Sequence, residues 1–270
     1  MKIISFAAIK GGVGKTTLCY NWGEFLARKL NKKVLFIDMD NQCSLTQTFN
    51  AYDVDNNIGN IFHDEDAVPI KIEENVDIIS GNANLDNYEA LIENRTNKNM
   101  LLFLWMARHD EALQKYDYVL IDCHPDLGTA TKNAIIVSHA IFSPLLPNQY
   151  SYDSRENIEV RLENLKKEAV DYNTGNSYVT AELMFLLNRV RMNTHSSREL
   201  VESSKGDDAI IATIPERELF NKSTFIEEDA ERATPLIEME EDKKVYQRNQ
   251  NFFKDIDKTF INMKEKVDTL

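Results

Sequence analysis

The stretch Lys10-Gly11-Gly12-Val13-Gly14-Lys15-Thr16-Thr17 decides how this chain is read, because of what stands on either side of it. Before it runs Lys2–Ala8, a nearly continuous apolar segment of strand type. After it runs Thr16–Leu30, where apolar residues recur at three and four positions as on a helix. Glycines in a strand-to-helix turn let the backbone bend tightly and point successive N–H groups inward, and the following helix adds its N-terminal dipole. The expected result is a cradle for phosphate oxygens, with Lys15 reaching the β- and γ-phosphates and the Thr16 hydroxyl on Mg²⁺. A glycine turn that binds nothing is the alternative, and the strand–loop–helix context speaks against it. One departure from the ordinary phosphate loop stands out: five residues before Gly14 is Ile9 instead of glycine, and Lys10 occupies the next place.

Working outward, further strand-like runs occur at Lys33–Asp38, Val76–Ser80, Tyr118–Asp122, Ala140–Leu146, Ala181–Leu187 and Ala209–Thr213. Helical periodicity marks Met100–Gln114, Asp153–Val170 and Lys243–Val267. This is the α/β rhythm, and the runs are continuous in apolar residues rather than alternating, as in strands covered on both faces. The expected fold is a mostly parallel twisted sheet flanked by helices on both faces, one domain over residues 1–270. The Asn-rich stretch Gly81–Lys98 reads as a surface loop interrupted by a short helix. No basic-then-apolar leader and no 18-residue apolar run occur, so a cytoplasmic protein is expected. Cys19, Cys43 and Cys123 are isolated, without CxxC spacing, and read as structural.

Two more motifs fall at strand ends. Phe36-Ile37-Asp38-Met39-Asp40-Asn41-Gln42 closes the second strand, and Tyr118-Val119-Leu120-Ile121-Asp122 is followed by Cys123-His124-Pro125-Asp126. A carboxylate at a strand's C-terminal end faces the crevice where open α/β sheets bind ligands. Asp122 is placed to orient Mg²⁺ through water. Asp38 and Asp40 could instead cap the next helix. His124 and Asp126 read as loop or cap residues.

Together these motifs resemble the ParA/MinD superfamily of deviant Walker A P-loop ATPases, whose KGGxGK[ST] signature residues 10–16 match throughout, and the set most resembles ParA, the DNA-partition family. Asn41 and His124 depart from it, standing where proline is usual in the DxDPQ box and in the sequence after Asp122. The resemblance implies that Lys10 reaches across an ATP-sandwich homodimer to the partner's phosphates; as with an arginine finger, such a group is worth about 10³–10⁵ in rate. It also implies that Asp40 positions the attacking water, that Asp38 helps hold the magnesium shell or the switch loop, and that Asn188 and the Ile214-Pro215 turn line the adenine pocket. ATP and Mg²⁺ are the implied cofactors.

The partners implied by the same resemblance are nonspecific double-stranded DNA, with the protein on the nucleoid, and a centromere-binding adaptor of ParB type that stimulates hydrolysis. The net charge of −13 excludes a uniformly DNA-coating protein, but the distribution is uneven. Residues 227–242 hold eight acids and one base, whereas residues 243–266 hold seven bases and three acids. The candidate DNA contacts are Arg189, Arg191, Arg198, Lys243, Lys244, Arg248, Lys254 and Lys258, although a solvated helix face would look the same. The first strand begins at Lys2, so no N-terminal helix-turn-helix domain is expected. A MinD-like membrane-cycling ATPase would need a terminal amphipathic helix, and Phe252, Phe253, Ile256, Phe260, Ile261, Met263 and Val267 suit docking on the sheet better. A metabolic synthetase on the same fold is a second alternative, distinguished by dependence on a small acid substrate.

Overall fold

Residues that alternate along each central strand go to two different cores. Leu35, Ile37 and Met39 of one strand pack into one cluster with Val119 and Ile121 of its neighbour, while Val34 and Phe36 join Tyr118 and Leu120 in the other. With apolar residues on both faces, neither can be left to water, so both must be covered. The computed structural model describes residues 1–147 and 151–270.

The elements run β1 (Lys2–Phe6), α1 (Lys15–Leu30), β2 (Val34–Met39), α2 (Ser44–Phe49), α3 (Ile58–Phe62), β3 (Ile70–Glu73), β4 (Val76–Ile79), α4 (Leu85–Ile92), α5 (Leu101–Arg108), α6 (Asp110–Leu113) and β5 (Tyr118–Cys123). They continue with α7 (Thr129–Val137), β6 (Ala140–Leu145), α8 (Ser151–Glu168), β7 (Glu182–Val190), α9 (His195–Ser203), β8 (Ile210–Pro215), α10 (Glu218–Lys222), α11 (Leu236–Met239) and α12 (Lys243–Asp268). The strands form one eight-stranded sheet in the order β3-β4-β2-β5-β1-β6-β7-β8. All neighbours are parallel except the edge pair β3 and β4. Helices α3, α4, α5, α7, α8 and α9 contribute to the core on one face, and α1, α2, α10, α11 and α12 to that on the other.

The seven expected strands are present, with ends shifted by a few residues. The eighth, β3, carries the polar alternation Ile70-Lys71-Ile72-Glu73 and gains strand character from pairing with β4, a tertiary effect that its own pattern does not announce. The helix expected over Met100–Gln114 breaks at His109 (φ −107°, ψ 18°) into α5 and α6. Helix α12 begins where the pattern placed it, because the Asp242 carboxylate accepts hydrogen bonds from the Lys244 and Val245 N–H groups. It kinks at Asn249, whose side-chain amide donates to the Val245 carbonyl. Helix α4 interrupts the loop after β4 as expected.

Helix α1 lies directly on the sheet, and Gly23 is where it comes closest. A Cβ there would run into the Phe36 ring and stand 2.8 Å from Leu120 Cδ1. Gly23→Ala should therefore cost about 1–3 kcal/mol of stability through overpacking, despite alanine's better helix propensity. Denaturant unfolding measures it, and a neutral result would mean that α1 can move off the sheet.

Candidate functional site

The ends of β1, β2 and β5 meet beneath the glycine loop. Asp38 and Asp122 are register partners on β2 and β5, so two carboxylates stand side by side at the C-terminal edge of the sheet, and both are fully buried. The loop after β1 brings Lys15 to them, also buried. Gly12 (φ +71°) and Gly14 (φ +95°) hold left-handed backbone that a side chain would strain, which is what turns the loop's N–H groups inward. No side chain caps the start of α1, and no acid stands in its first turn. The unsatisfied N–H groups there are an anion site by construction.

Thr16 Oγ1 donates a 2.6 Å hydrogen bond to Asp122 Oδ2, while Asp122 Oδ1 is buried without a hydrogen-bond partner. Burial pushes the Asp122 carboxyl well above the usual range, and Asp38 adds to this; Lys15 and the Thr16 hydroxyl pull the other way. A buried, orphaned carboxylate oxygen beside a hydroxyl fits a hard divalent cation with oxygen ligands. No group of three or more His, Cys, Asp or Glu set to hold a metal occurs among the described residues.

Asp38 has a different setting. Its Oδ2 accepts from the Thr46 N–H (2.8 Å) and the Thr46 hydroxyl (2.7 Å), and its Oδ1 from the Asp40 N–H (3.2 Å). The Thr46 hydroxyl in turn accepts from the Gly81 N–H at 2.6 Å. A Cβ on Gly81 would sit 2.9 Å from Asp38 Cγ. Burial raises the Asp38 carboxyl to about 6 in spite of these bonds. Both Asp38 oxygens are thus engaged by the chain's own donors. Asp40 is nearly buried, and its Oδ1 accepts from the Gln42 N–H at 2.9 Å.

Two recesses surround these groups. An open cleft of about 440 Å³ is lined by Gly11, Gly12, Gly14, Lys15, Thr16 and Asp40, among others. A second recess of about 180 Å³ is lined by Asn188 and Pro215, with Gly14, Thr17, Phe220 and Asn221. Asn188 Nδ2 donates to the Val13 carbonyl at 2.7 Å, tying the end of β7 to the phosphate loop. Lys10 is exposed and lines neither; it borders a small recess with Val13 and Ser143–Leu146. His124 Nδ1 lies 3.2 Å from Asp126 Oδ2, and Asp126 Oδ1 accepts from the Gly128 N–H, bracing the turn into α7. All three cysteines are buried with thiols raised by burial, so they stay protonated.

The basic candidates do not all look alike. Arg191 pairs with Glu216, whereas Arg198, Lys243, Lys244, Arg248, Lys254 and Lys258 are exposed and make no ion pair among the described residues. Arg189 sits in the walls of both recesses. Sequence reasoning missed Thr46 and Gly81, which hold Asp38. The only signal for them was position, at the start of a helix and the end of a strand.

An AAA-domain family model matches residues 1–174. The chain is 33% identical over 159 residues to the sporulation initiation inhibitor protein Soj of Bacillus subtilis, covering 56% of this chain and 61% of that one. It is 30% identical over 182 residues to the virulence plasmid ParA family protein pGP5-D of Chlamydia trachomatis, covering 65% of this chain and 67% of that one. Across the first curated relatives it matches, it spans 46% to 61% of their length. Among solved structures, a plasmid partition protein of Borrelia burgdorferi bound to AMPPNP superposes with a TM-score of 0.71 at 26% identity, over 94% of this chain and 98% of that one.

Folding places two carboxyls where a proton is held more tightly than in the unfolded chain. Their stabilising contribution is therefore complete below about pH 4 and is lost as pH rises, through about 6 for Asp38. Asp122→Asn should raise the Tm of the nucleotide-free protein at pH 7.5 by about 2–4 °C, on the order of 1 kcal/mol. Any further gain in Tm that Mg²⁺ with nucleotide gives the wild type should be lost in the variant. A lower Tm without nucleotide would show that the buried charge is compensated in a way this geometry does not contain.

Proposed function

We propose, from the premise that this chain belongs to the ParA-type P-loop ATPases, that it is an ATP-gated switch for partitioning DNA. ATP pairs two copies around the nucleotide, the pair binds double-stranded DNA without regard to sequence, and hydrolysis takes it apart. A centromere-binding adaptor of ParB type stimulates that hydrolysis. The observation that carries the reading is the glycine cradle with buried Lys15 next to the Thr16–Asp122 pair and its orphaned oxygen.

In this reading Lys15 and the N–H groups of Gly11–Thr17 hold the phosphates, and Asn188 and Pro215 receive the adenine. Thr16 and Asp122 would hold Mg²⁺, which neutralises charge on the β- and γ-phosphate oxygens. Asp40 orients the attacking water; phosphoryl transfer rests on positioning and electrostatics, so it need not be a strong base. Asp38 keeps the Asp40 loop in place. Lys10, exposed beside the phosphate loop, would act on the partner's phosphates, which couples dimer formation to hydrolysis.

The DNA contacts are assigned to the exposed bases of α12, Lys254 and Lys258 above all, which stand one turn apart. A MinD-like reading loses its candidate anchor, because Phe252, Phe253, Ile256, Phe260, Met263 and Val267 are buried against the sheet. No helix among the described residues is long and apolar enough to cross a membrane. We place the protein in the cytoplasm on the nucleoid, with residues 1–270 acting as one ATPase domain.

Binding of Asp40→Ala protein to random-sequence duplex DNA, with ATP–Mg²⁺ against ADP–Mg²⁺ at two salt concentrations, tests the whole reading. The variant should hold ATP and bind DNA only with ATP, more weakly as salt rises, while its hydrolysis falls by about 10²-fold or more. Undiminished turnover removes Asp40 from its role. An ATP dimer that binds no DNA removes the partition function. Adding Lys254→Glu and Lys258→Glu to this variant should abolish DNA binding and leave the dimer intact. Unchanged binding would move the DNA surface elsewhere.

A further inference from the structure

The phosphate cleft and the base recess share three residues, Gly14, Thr17 and Arg189. Gly14 and Thr17 belong to the phosphate loop and the first turn of α1. Arg189 comes from the end of β7, and its backbone is in the left-handed region (φ +53°), where an arginine is rarely found. Two features hold it there. The strand register shifts between Leu187 and Val190, and Asn188 Oδ1 accepts the Arg189 N–H at 2.9 Å while the same side chain donates to Val13 of the phosphate loop. The unusual backbone is thus locked to the glycine loop through a single amide.

The side chain is exposed, and among the described residues no carboxylate pairs with it; Arg191, two positions on, is tied to Glu216. Strained backbone is kept where the surrounding structure specifies it, and here it sets a guanidinium without a counterion at the passage between the two recesses. We propose that Arg189 binds the α-phosphate of the nucleotide in its own subunit, and that it is a nucleotide contact and not a DNA contact. This rests on the nucleotide reading of the cleft. With adenine against Asn188 and Pro215 and the terminal phosphates on Lys15, the ribose and the α-phosphate occupy the passage, and of these only the phosphate is an anion. A guanidinium presents paired donors to phosphate oxygens.

Equilibrium binding of fluorescent ADP and ATP analogues, with saturating Mg²⁺, to the wild type, Arg189→Gln, Arg189→Gly and Arg189→Lys tests it. Glycine relieves the left-handed backbone, so agreement between the Gln and Gly variants separates loss of the side chain from backbone strain. Both should weaken ADP and ATP by the same factor, about tenfold for one charge-assisted contact, and Arg189→Lys should recover most of the affinity. If the wild type binds neither analogue, the nucleotide reading of the cleft fails, and the inference with it. If the wild type binds and the Gln and Gly variants hold ADP as tightly, the Arg189 assignment alone is overturned. It is equally overturned if the only loss is in DNA binding at saturating ATP.

Discussion

Two carboxylates side by side in the dry interior are what the rest of this structure has to accommodate. Asp38 and Asp122 face each other across neighbouring strands at the level where the sheet ends, and neither is reached by water. Burying one such charge is costly and burying two next to each other more so, unless cations and donors answer them. Lys15 supplies the cation, the Thr16 hydroxyl engages one Asp122 oxygen, and Thr46 with the Asp40 N–H engages Asp38. Asp122 Oδ1 is what these donors leave over. The fold thus holds two buried carboxyls side by side, with one oxygen left over next to the Thr16 hydroxyl.

The same answer to Asp38 links elements distant in sequence. Thr46 stands in α2 and receives the Gly81 N–H from the end of β4, so one carboxylate ties β2, α2 and the loop after β4 together. Asp40 lies two residues from Asp38, and its placement depends on that knot. Farther along, Asn41 donates to Asp86 of α4, and Glu89 of the same helix accepts the Ala130 N–H at the start of α7, just beyond the turn that follows Asp122. Helix α4 therefore bridges the loop after β2 and the start of α7, which follow the two strands that carry the carboxylates.

Much of this was legible in the sequence, for a definite reason. The central strands are nearly continuous in apolar residues, and the glycine loop needs left-handed backbone at Gly12 and Gly14, so strand, loop and helix could be placed from local pattern alone. The Asp residues at strand ends were legible because a charge closing an apolar run has to face the crevice. What escaped was whatever depends on contacts between distant segments. β3 is a strand because β4 pairs with it, and the break at His109 leaves no mark in the apolar spacing of the helices around it. Thr46 and Gly81 have no distinguishing pattern, and Arg189 looked like any other base near a strand end until β7 brought it over the glycine loop.

Charge segregation along the chain, by contrast, is partly undone by folding. The acidic strip at 227–242 is fastened to α1 and α2: Tyr20 donates to the Ala233 carbonyl, Ala233 N–H donates to Thr48, and Asn21 accepts the Leu236 N–H. There Arg232 and Arg28 answer Glu238, and Lys29 answers Glu240. Lys29 also takes Asp257 of α12, and Lys264 takes Asp268. Two of the acids of α12 are thereby engaged inside the molecule, while Lys243, Lys244, Arg248, Lys254 and Lys258 have no ion pair among the described residues. A chain with a net charge of −13 can in this way present a locally basic helix. Because the surrounding field is negative, attraction of an anion there works only at short range and is sensitive to salt.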